Sequence, residues 1–381
     1  MAIQWPLALF TLCAGGAGWL LVWVCVNEFT GTVKDELLRY KELLTVTIMT
    51  AVGGCCSALH LSHVDRIMGA LNHPTSAIFT EIVMVMLVIL LCIVFGVLAY
   101  RGASSKVLKG VAVVGIVFGV VISYATGAGY MMSAQPNWNT VLMPLSYAAT
   151  GAAFGSALYL FFVATWKGNA AKVLFPYHRA KAEQDVTVPA EVVEDDAESE
   201  VTLEDADEFG GEFADDAAGE AAAGNVMNEV ASDDVKDDAK GKKKKKKESS
   251  YKGKTLPAIA QADFTAQKDA GSKLAARYAL ITGIVAAVII TLYALVQGTM
   301  FITSAVAFYI ISLVGCVGVI ISGVLMLHKK DDKHLTRNSS IGIVCGIAAS
   351  LGFRCFMFAA GTGLLTFISS PDVVNHFFAT I

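Results

Sequence analysis

Charged residues are scarce in this sequence: Asp, Glu, Lys and Arg make up only 16% of its 381 residues, whereas a soluble domain has about 25%. Twenty-four of the 33 acidic residues lie between Glu183 and Asp269, so the remainder of the chain is poorer still in charge. Hydrophobic residues make up 55%, and the mean hydropathy is +0.58. These values exclude a soluble globular enzyme and indicate an integral membrane protein.

Motifs that bind redox metals are also missing. The eight cysteines all fall in apolar runs, and none forms a CxxC or CxxCH motif, so we expect no iron–sulfur cluster and no c-type haem in this chain. A b-type haem needs two histidines that project into a helix bundle. His60 and His328 are the histidines nearest to the apolar runs, and they lie at opposite faces. We therefore expect no haem.

Apolar runs long enough to cross a bilayer are abundant, since a membrane-spanning helix needs about 20 apolar residues. The sequence predicts an all-α, polytopic membrane bundle of eight transmembrane helices. The predicted spans are about 5–26, 43–62, 77–99, 107–132, 141–165, 274–297, 303–327 and 341–368.

A charged insert interrupts the apolar runs. Between Glu183 and Asp238 there are 21 acidic residues and one lysine, and Lys242–Lys247 is a run of six lysines. Low hydrophobicity with blocks of like charge predicts disorder, and the lysine run could contact anionic membrane lipid. We therefore divide the chain into helices 1–5 (1–170), a disordered cytoplasmic linker (171–272), and helices 6–8 with a short outer tail (273–381).

Lysine and arginine are concentrated in alternate loops, which predicts the orientation in the plasma membrane. The basic residues of these loops include Lys34, Arg39, Lys41, Arg101, Lys106, Lys167, Lys172, Arg179, Lys329, Lys330, Lys333 and Arg337, and the loop after span 5 holds many more. The other loops contain only Arg66. We therefore predict that the basic loops face the cytoplasm and that both termini lie outside.

Few ionisable groups remain within the spans, and such groups indicate function because charge at bilayer depth is costly. They are His60 at the end of span 2, Glu81 at the start of span 3 and Arg354 in span 8, all placed in the outer half by the predicted orientation. Quinol oxidation releases protons and needs a base within hydrogen-bond reach. A partly desolvated carboxylate and a histidine both qualify, so His60 and Glu81 are the candidate proton acceptors.

Other interpretations of these residues stay open at this point. Glu81 and Arg354 could form a structural ion pair, and His60 could bond to backbone at the membrane interface. Tyr130 and Trp138 could be ordinary interfacial aromatic residues. A passive anchor or a transporter-like protein without quinone chemistry is the alternative function.

Four segments carry a resemblance to a known family: WPLALFTLCAGGAGWLL, SALHLSH with FTEI about twenty residues on, NWNTVLMPLSYAATGAAFGSALY, and LGFRCFMFAAGTG. In order and spacing they resemble the membrane anchor subunit of dimethyl sulfoxide reductase (DmsC type), over about 1–170 and more loosely over 272–368. Two departures are Ala128-Gly129-Tyr130, where the family often has Arg-x-Tyr, and the long charged insert.

The resemblance implies eight helices, both termini outside, no haem, and a complex of three subunits. A molybdopterin catalytic subunit reduces dimethyl sulfoxide or a related acceptor, a four-cluster iron–sulfur subunit carries electrons, and the anchor oxidises menaquinol. The resemblance assigns the quinol site to His60 and Glu81 and matches Arg354 to an arginine of the last helix; Tyr130 joins them as a candidate quinol contact. This chain would not itself reduce the terminal acceptor, and no nucleic acid partner is expected.

Overall fold

The computed structural model describes residues 4–33, 35–59, 76–132, 135, 137–166, 256–297, 303–328 and 332–368. These parts of the chain form eight α-helices and no β-strand. In chain order they are α1 (Trp5–Thr30), α2 (Glu36–Leu59), α3 (Ala77–Tyr100), α4 (Ser105–Ala128), α5 (Leu142–Thr165), α6 (Leu256–Gln297), α7 (Thr303–His328) and α8 (Asp332–Ile368). Each is long and apolar enough to cross a membrane, which confirms the predicted all-α, multi-pass membrane bundle.

Three helices, α2, α6 and α8, begin well before the predicted spans. Helix α2 begins at Glu36 rather than at residue 43, and α8 begins at Asp332 rather than at residue 341. Hydropathy identifies only the apolar part of a helix, whereas the backbone hydrogen bonds continue into a first turn that carries charged residues. A charged residue near the end of an apolar run therefore does not end the helix.

Helix α6 corrects the predicted boundary of the linker. It begins at Leu256, so residues 256–272 form helix and are wrongly included in the linker. This segment contains five alanines and two glutamines, which are strong helix formers although they add little hydropathy. The rest of the predicted linker, residues 171–255, and the predicted outer tail, 369–381, lie outside the described residues.

The helices pack as two groups of four. In the first group, α1 packs against α2 and α4, and α3 closes the ring by packing against the same two helices. In the second group, α5 packs against α6 and α8, and α7 packs against the same two helices. Helix α5 also contacts α1 and α4, and α8 contacts α1, so α1 and α5 form the centre of the bundle.

Contacts near the helix ends show which ends lie together. The indole Nε1 of Trp138, just before α5, donates a hydrogen bond to the Met357 carbonyl near the end of α8 at 3.2 Å. At the opposite face, the indole Nε1 of Trp166 after α5 donates to Oδ2 of Asp35 before α2 at 2.5 Å. We call the face at which α1 begins and α8 ends the terminal face.

The closest approach of α1 and α4 occurs at a pair of glycines. A Cβ atom placed on Gly18 would lie 2.5 Å from the carbonyl oxygen of Gly119, and one placed on Gly119 would meet the carbonyl of Gly18 and the Val22 side chain. Small residues let membrane helices come this close. The α1–α4 contact therefore depends on the absence of side chains at both positions.

We expect Gly119→Ala to destabilise the protein, because the new methyl group would collide with α1 backbone, and such overpacking costs about 1–3 kcal/mol. Gly110, on the same helix, has no atom within 4 Å of its Cβ position, so Gly110→Ala is the matched control. It should be neutral or slightly stabilising, since alanine favours helix by up to about 1 kcal/mol. Thermal unfolding in detergent measures both, and equal midpoints would contradict the packing argument.

Candidate functional site

A cleft of about 340 Å³ opens between α2 and α3 near the terminal face. Helix α1 closes its back with Phe10, which is completely buried. The lining residues are Phe10, Ala51, Gly54, Cys55, Ser57, Ala58, Ile78, Glu81, Ile82, Val85, Met86 and Ile89. Only a hydroxyl and a carboxyl group among them are strongly polar, so the cleft suits a largely apolar ligand that carries a polar group.

Glu81 is placed in this cleft by the first turns of α3. The helix is capped by Ser76, whose side-chain hydroxyl accepts a hydrogen bond from the Phe79 amide at 3.1 Å. One turn later, the Glu81 carboxylate accepts a hydrogen bond from the Ser57 hydroxyl of α2 at 3.2 Å, measured from Oγ to Oε2. The bond joins the two walls of the cleft through one of the two carboxylate oxygens.

His60 directly follows Leu59, the last residue of α2 as described, and itself lies outside the described residues. Its predicted position at the end of α2 is adjacent in the chain to the cleft wall, since Ser57 and Ala58 line the cleft. The participation of His60 in the site therefore stays a prediction.

Arg354 lies away from the cleft wall, fully buried between α1, α5 and α8. Its Nε donates to the Thr11 hydroxyl and its Nη2 to the Thr11 carbonyl, each at 2.6 Å. Its Nη1 donates to the carbonyl of Ser350, at 2.7 Å, and to the hydroxyl of the same residue. The guanidinium carbon lies 4.7 Å from the centroid of the Tyr147 ring, a distance typical of a cation–π contact.

These contacts do not include the ion pair that the sequence left open for Arg354 and Glu81. An ion pair that the structure does show joins Arg39 to Glu28, far from the cleft at the opposite face. Arg354 instead uses its donors to tie α8 to α1. With the Tyr147 ring of α5, these contacts join three helices, and a contact of Arg354 with quinol stays a prediction.

Tyr130 follows α4 and is buried in an aromatic cluster rather than in the cleft wall. Its ring stacks on Tyr147 with centroids 5.5 Å apart, and it meets the edges of Trp138 and Phe358 at 6.0 Å. Burial raises the pKa of the Tyr130 phenol well above its ordinary value, so the group stays protonated. The cluster extends the aromatic packing from α4 to α8.

The cleft and the Arg354 contacts are connected through neighbouring residues of α1. Phe10 closes the cleft, and Thr11, the next residue, receives two hydrogen bonds from Arg354. The arginine therefore fixes the turn of α1 that forms the back of the cleft. Of the four predicted residues, Glu81 lines the cleft. Arg354 and Tyr130 are buried beside it, and His60 lies outside the described residues.

Sequence reasoning missed two residues that matter here. Ser57 bonds to Glu81, but a serine in an apolar run gives no signal before its partner is known. Glu42 is a second buried carboxyl group, with 3% of its surface exposed and one oxygen, Oε1, without a hydrogen-bond partner. The sequence pattern does not identify Glu42 as buried, because the predicted span 2 begins one residue later, at 43.

We expect Arg354→Lys to lower the thermal stability of the protein. Lysine keeps the charge, but a single ammonium group cannot match the planar fork of five donors. Acceptors on α1 and α8 would then lose their partner at a cost of about 1–3 kcal/mol. The matched control is Arg277→Lys at an exposed position of α6, which should unfold like the parent. Unchanged stability together with slower quinol-dependent turnover would contradict the structural role and favour direct ligand contact.

Comparison with known proteins agrees with the resemblance seen in the sequence. Residues 1–176 match the family model described as DMSO reductase anchor subunit (DmsC), whereas no curated protein and no solved structure matches the chain. The matched part contains α1 to α5, and therefore both walls and the back of the cleft. Over its first five helices, this membrane protein is therefore similar to the DMSO reductase anchor subunit family.

Proposed function

We propose that this chain is the membrane anchor and quinol-oxidising subunit of a molybdopterin oxidoreductase complex. The observation that carries the proposal is the position of Glu81. Its carboxyl group lies in an otherwise apolar cleft between two helices, near the terminal face, and is bonded across the cleft to a single hydroxyl. An ionisable group in such a place is costly to maintain and suggests chemistry.

The cleft provides what quinol oxidation requires of the protein. Converting one quinol to quinone breaks two O–H bonds and releases two protons and two electrons. The Glu81 carboxylate accepts a proton from one hydroxyl, while the Ser57 hydroxyl holds the other carboxylate oxygen in place. His60, at the end of α2, accepts the second proton, and a general base contributes about 10²–10⁴-fold to such a step.

The electrons leave through a partner, as in the family that the first five helices match. An iron–sulfur subunit with four clusters takes them and passes them to a molybdopterin catalytic subunit, which reduces dimethyl sulfoxide or a related acceptor in anaerobic respiration. This subunit docks on the loops between α2 and α3, α4 and α5, and α6 and α7. The helices that these loops join end or begin at the terminal face, near the cleft, so the proposed electron path is short.

The distribution of basic residues favours a terminal face outside the cell and a charged linker in the cytoplasm. Menaquinol in the membrane reaches the cleft laterally between α2 and α3. Protons from Glu81 and His60 then leave on the side to which the electrons pass. Quinol oxidation at this site is therefore electrically neutral across the membrane.

We expect Glu81→Gln to lower quinol-driven reduction of the terminal acceptor by about 10²-fold or more, because the amide cannot accept the proton. The intact complex should still assemble and still reduce its acceptor with an artificial dye as electron donor. The matched control is Glu42→Gln, the same change at a buried carboxyl of α2 that does not line the cleft. It should keep quinol-driven turnover.

His60→Ala should give the same separation of quinol-driven from dye-driven activity. If quinol-driven turnover survives both Glu81→Gln and His60→Ala, the site assignment is wrong. If the parent complex works with the dye but not with any menaquinol analogue, the chain is a passive anchor without quinone chemistry.

A further inference from the structure

The cleft is polar at one end only. Ser57 and Glu81 lie toward the terminal face, whereas the part nearer to the bilayer centre is lined by Ala51, Gly54, Val85, Met86 and Ile89. From Ile78 to Ile89 the lining extends along about 16 Å of α3, at 1.5 Å per residue. The cavity therefore has the polarity of an elongated molecule with a polar head and an apolar chain.

The apolar part owes its width to a glycine. A Cβ atom placed on Gly54 of α2 would lie 3.2 Å from Cγ1 and 3.9 Å from Cγ2 of Val85 on α3. A methyl group at this position would already press against the opposite wall, and a longer side chain would occupy the cavity. Gly54 and Val85 together thus set how wide a chain can pass between the two helices.

The apolar part is also open to lipid. Met86 lines the cleft and has 64% of its surface exposed on the outside of the bundle. Cys55, on the facing helix, is exposed as well. A chain longer than the cavity can therefore leave between these residues into the hydrocarbon, while its polar head stays beside Ser57 and Glu81.

We propose that this apolar part of the cleft binds the isoprenoid tail of the quinol, and that Gly54 is a specificity-determining residue for quinols with such a tail. The inference rests on the proposed function, because it assigns the polar end of the same cleft to the quinol head. The tail passes over Gly54 toward the bilayer centre and directs the hydroxyl groups to Glu81. A quinol without a tail uses the polar end alone.

The test compares two substrates in the intact complex: a menaquinol with an isoprenoid tail of four units and a naphthoquinol without a tail. Gly54→Leu should raise KM for the tailed quinol by at least ~10-fold, the lower range for a change of one small group in an apolar pocket. KM and kcat for the tail-free quinol should stay unchanged. Gly110→Leu, at the position with open space around it on α4, should alter neither substrate.

A second variant distinguishes a blocked tail site from misfolding of the Gly54→Leu protein. Val85→Ala removes the atoms that a new side chain would meet, so Gly54→Leu combined with Val85→Ala should recover much of the affinity for the tailed quinol. Equal loss for both substrates without such recovery would overturn the proposal, as would a Gly54→Leu complex that oxidises both like the parent.

The two proposals fail in different ways. If Gly54→Leu discriminates against neither quinol while Glu81→Gln abolishes turnover of both, the tail site is wrong and the quinol-oxidising function stands. If the parent complex oxidises neither quinol, the proposed function itself is wrong.

Discussion

The structure depends on one constraint of the bilayer: hydrocarbon offers no hydrogen bonds, so a polar side chain must find its partners within the protein. Arg354 meets most of this constraint, because four of its five N–H groups donate hydrogen bonds to Thr11 and Ser350 and a tyrosine ring lies beneath it. Glu81 meets it only in part, through Ser57. The two residues also differ in position, because the Glu81 carboxyl group lines the cleft and Arg354 does not.

Helix α1 connects these two sites. It meets α4 where Gly18 faces Gly119, it receives the Arg354 hydrogen bonds at Thr11, and it closes the cleft with Phe10. The position of the cleft wall thus depends on contacts made by α8, which belongs to the second group of four helices. Helix α8 lies beyond the residues that match the family model. It does not line the cleft, but it helps to hold the cleft wall in position.

Much of the fold could be predicted from the sequence, because bilayer thickness and hydropathy determine how many helices cross the membrane. Helix ends could not, since charged or alanine-rich turns such as those at Glu36 and Leu256 continue a helix without adding hydropathy. For the same reason Glu42, one residue before the predicted span, was not recognised as buried.

The site was predictable where a single residue type carries the signal. A carboxylate in an apolar run identified Glu81, but its partner Ser57 depends on how α2 and α3 face each other. Depth alone suggested that Arg354 and Glu81 could pair, since both lie in the same half of the bundle. In the structure, Arg354 and Glu81 belong to different groups of four helices. This separation depends on how the helices pack, which the hydropathy pattern of the sequence does not reveal.

The central claim is that the cleft between α2 and α3 holds the quinol, with its head at Glu81. The most direct measurement is photocrosslinking of the intact complex with a menaquinol analogue that carries a photoreactive group on its ring, followed by peptide mapping. The account predicts labelled peptides from α2 and α3 around Ser57 and Glu81, and their loss when excess menaquinol competes. Specific labelling confined to α6 or α7 would contradict it.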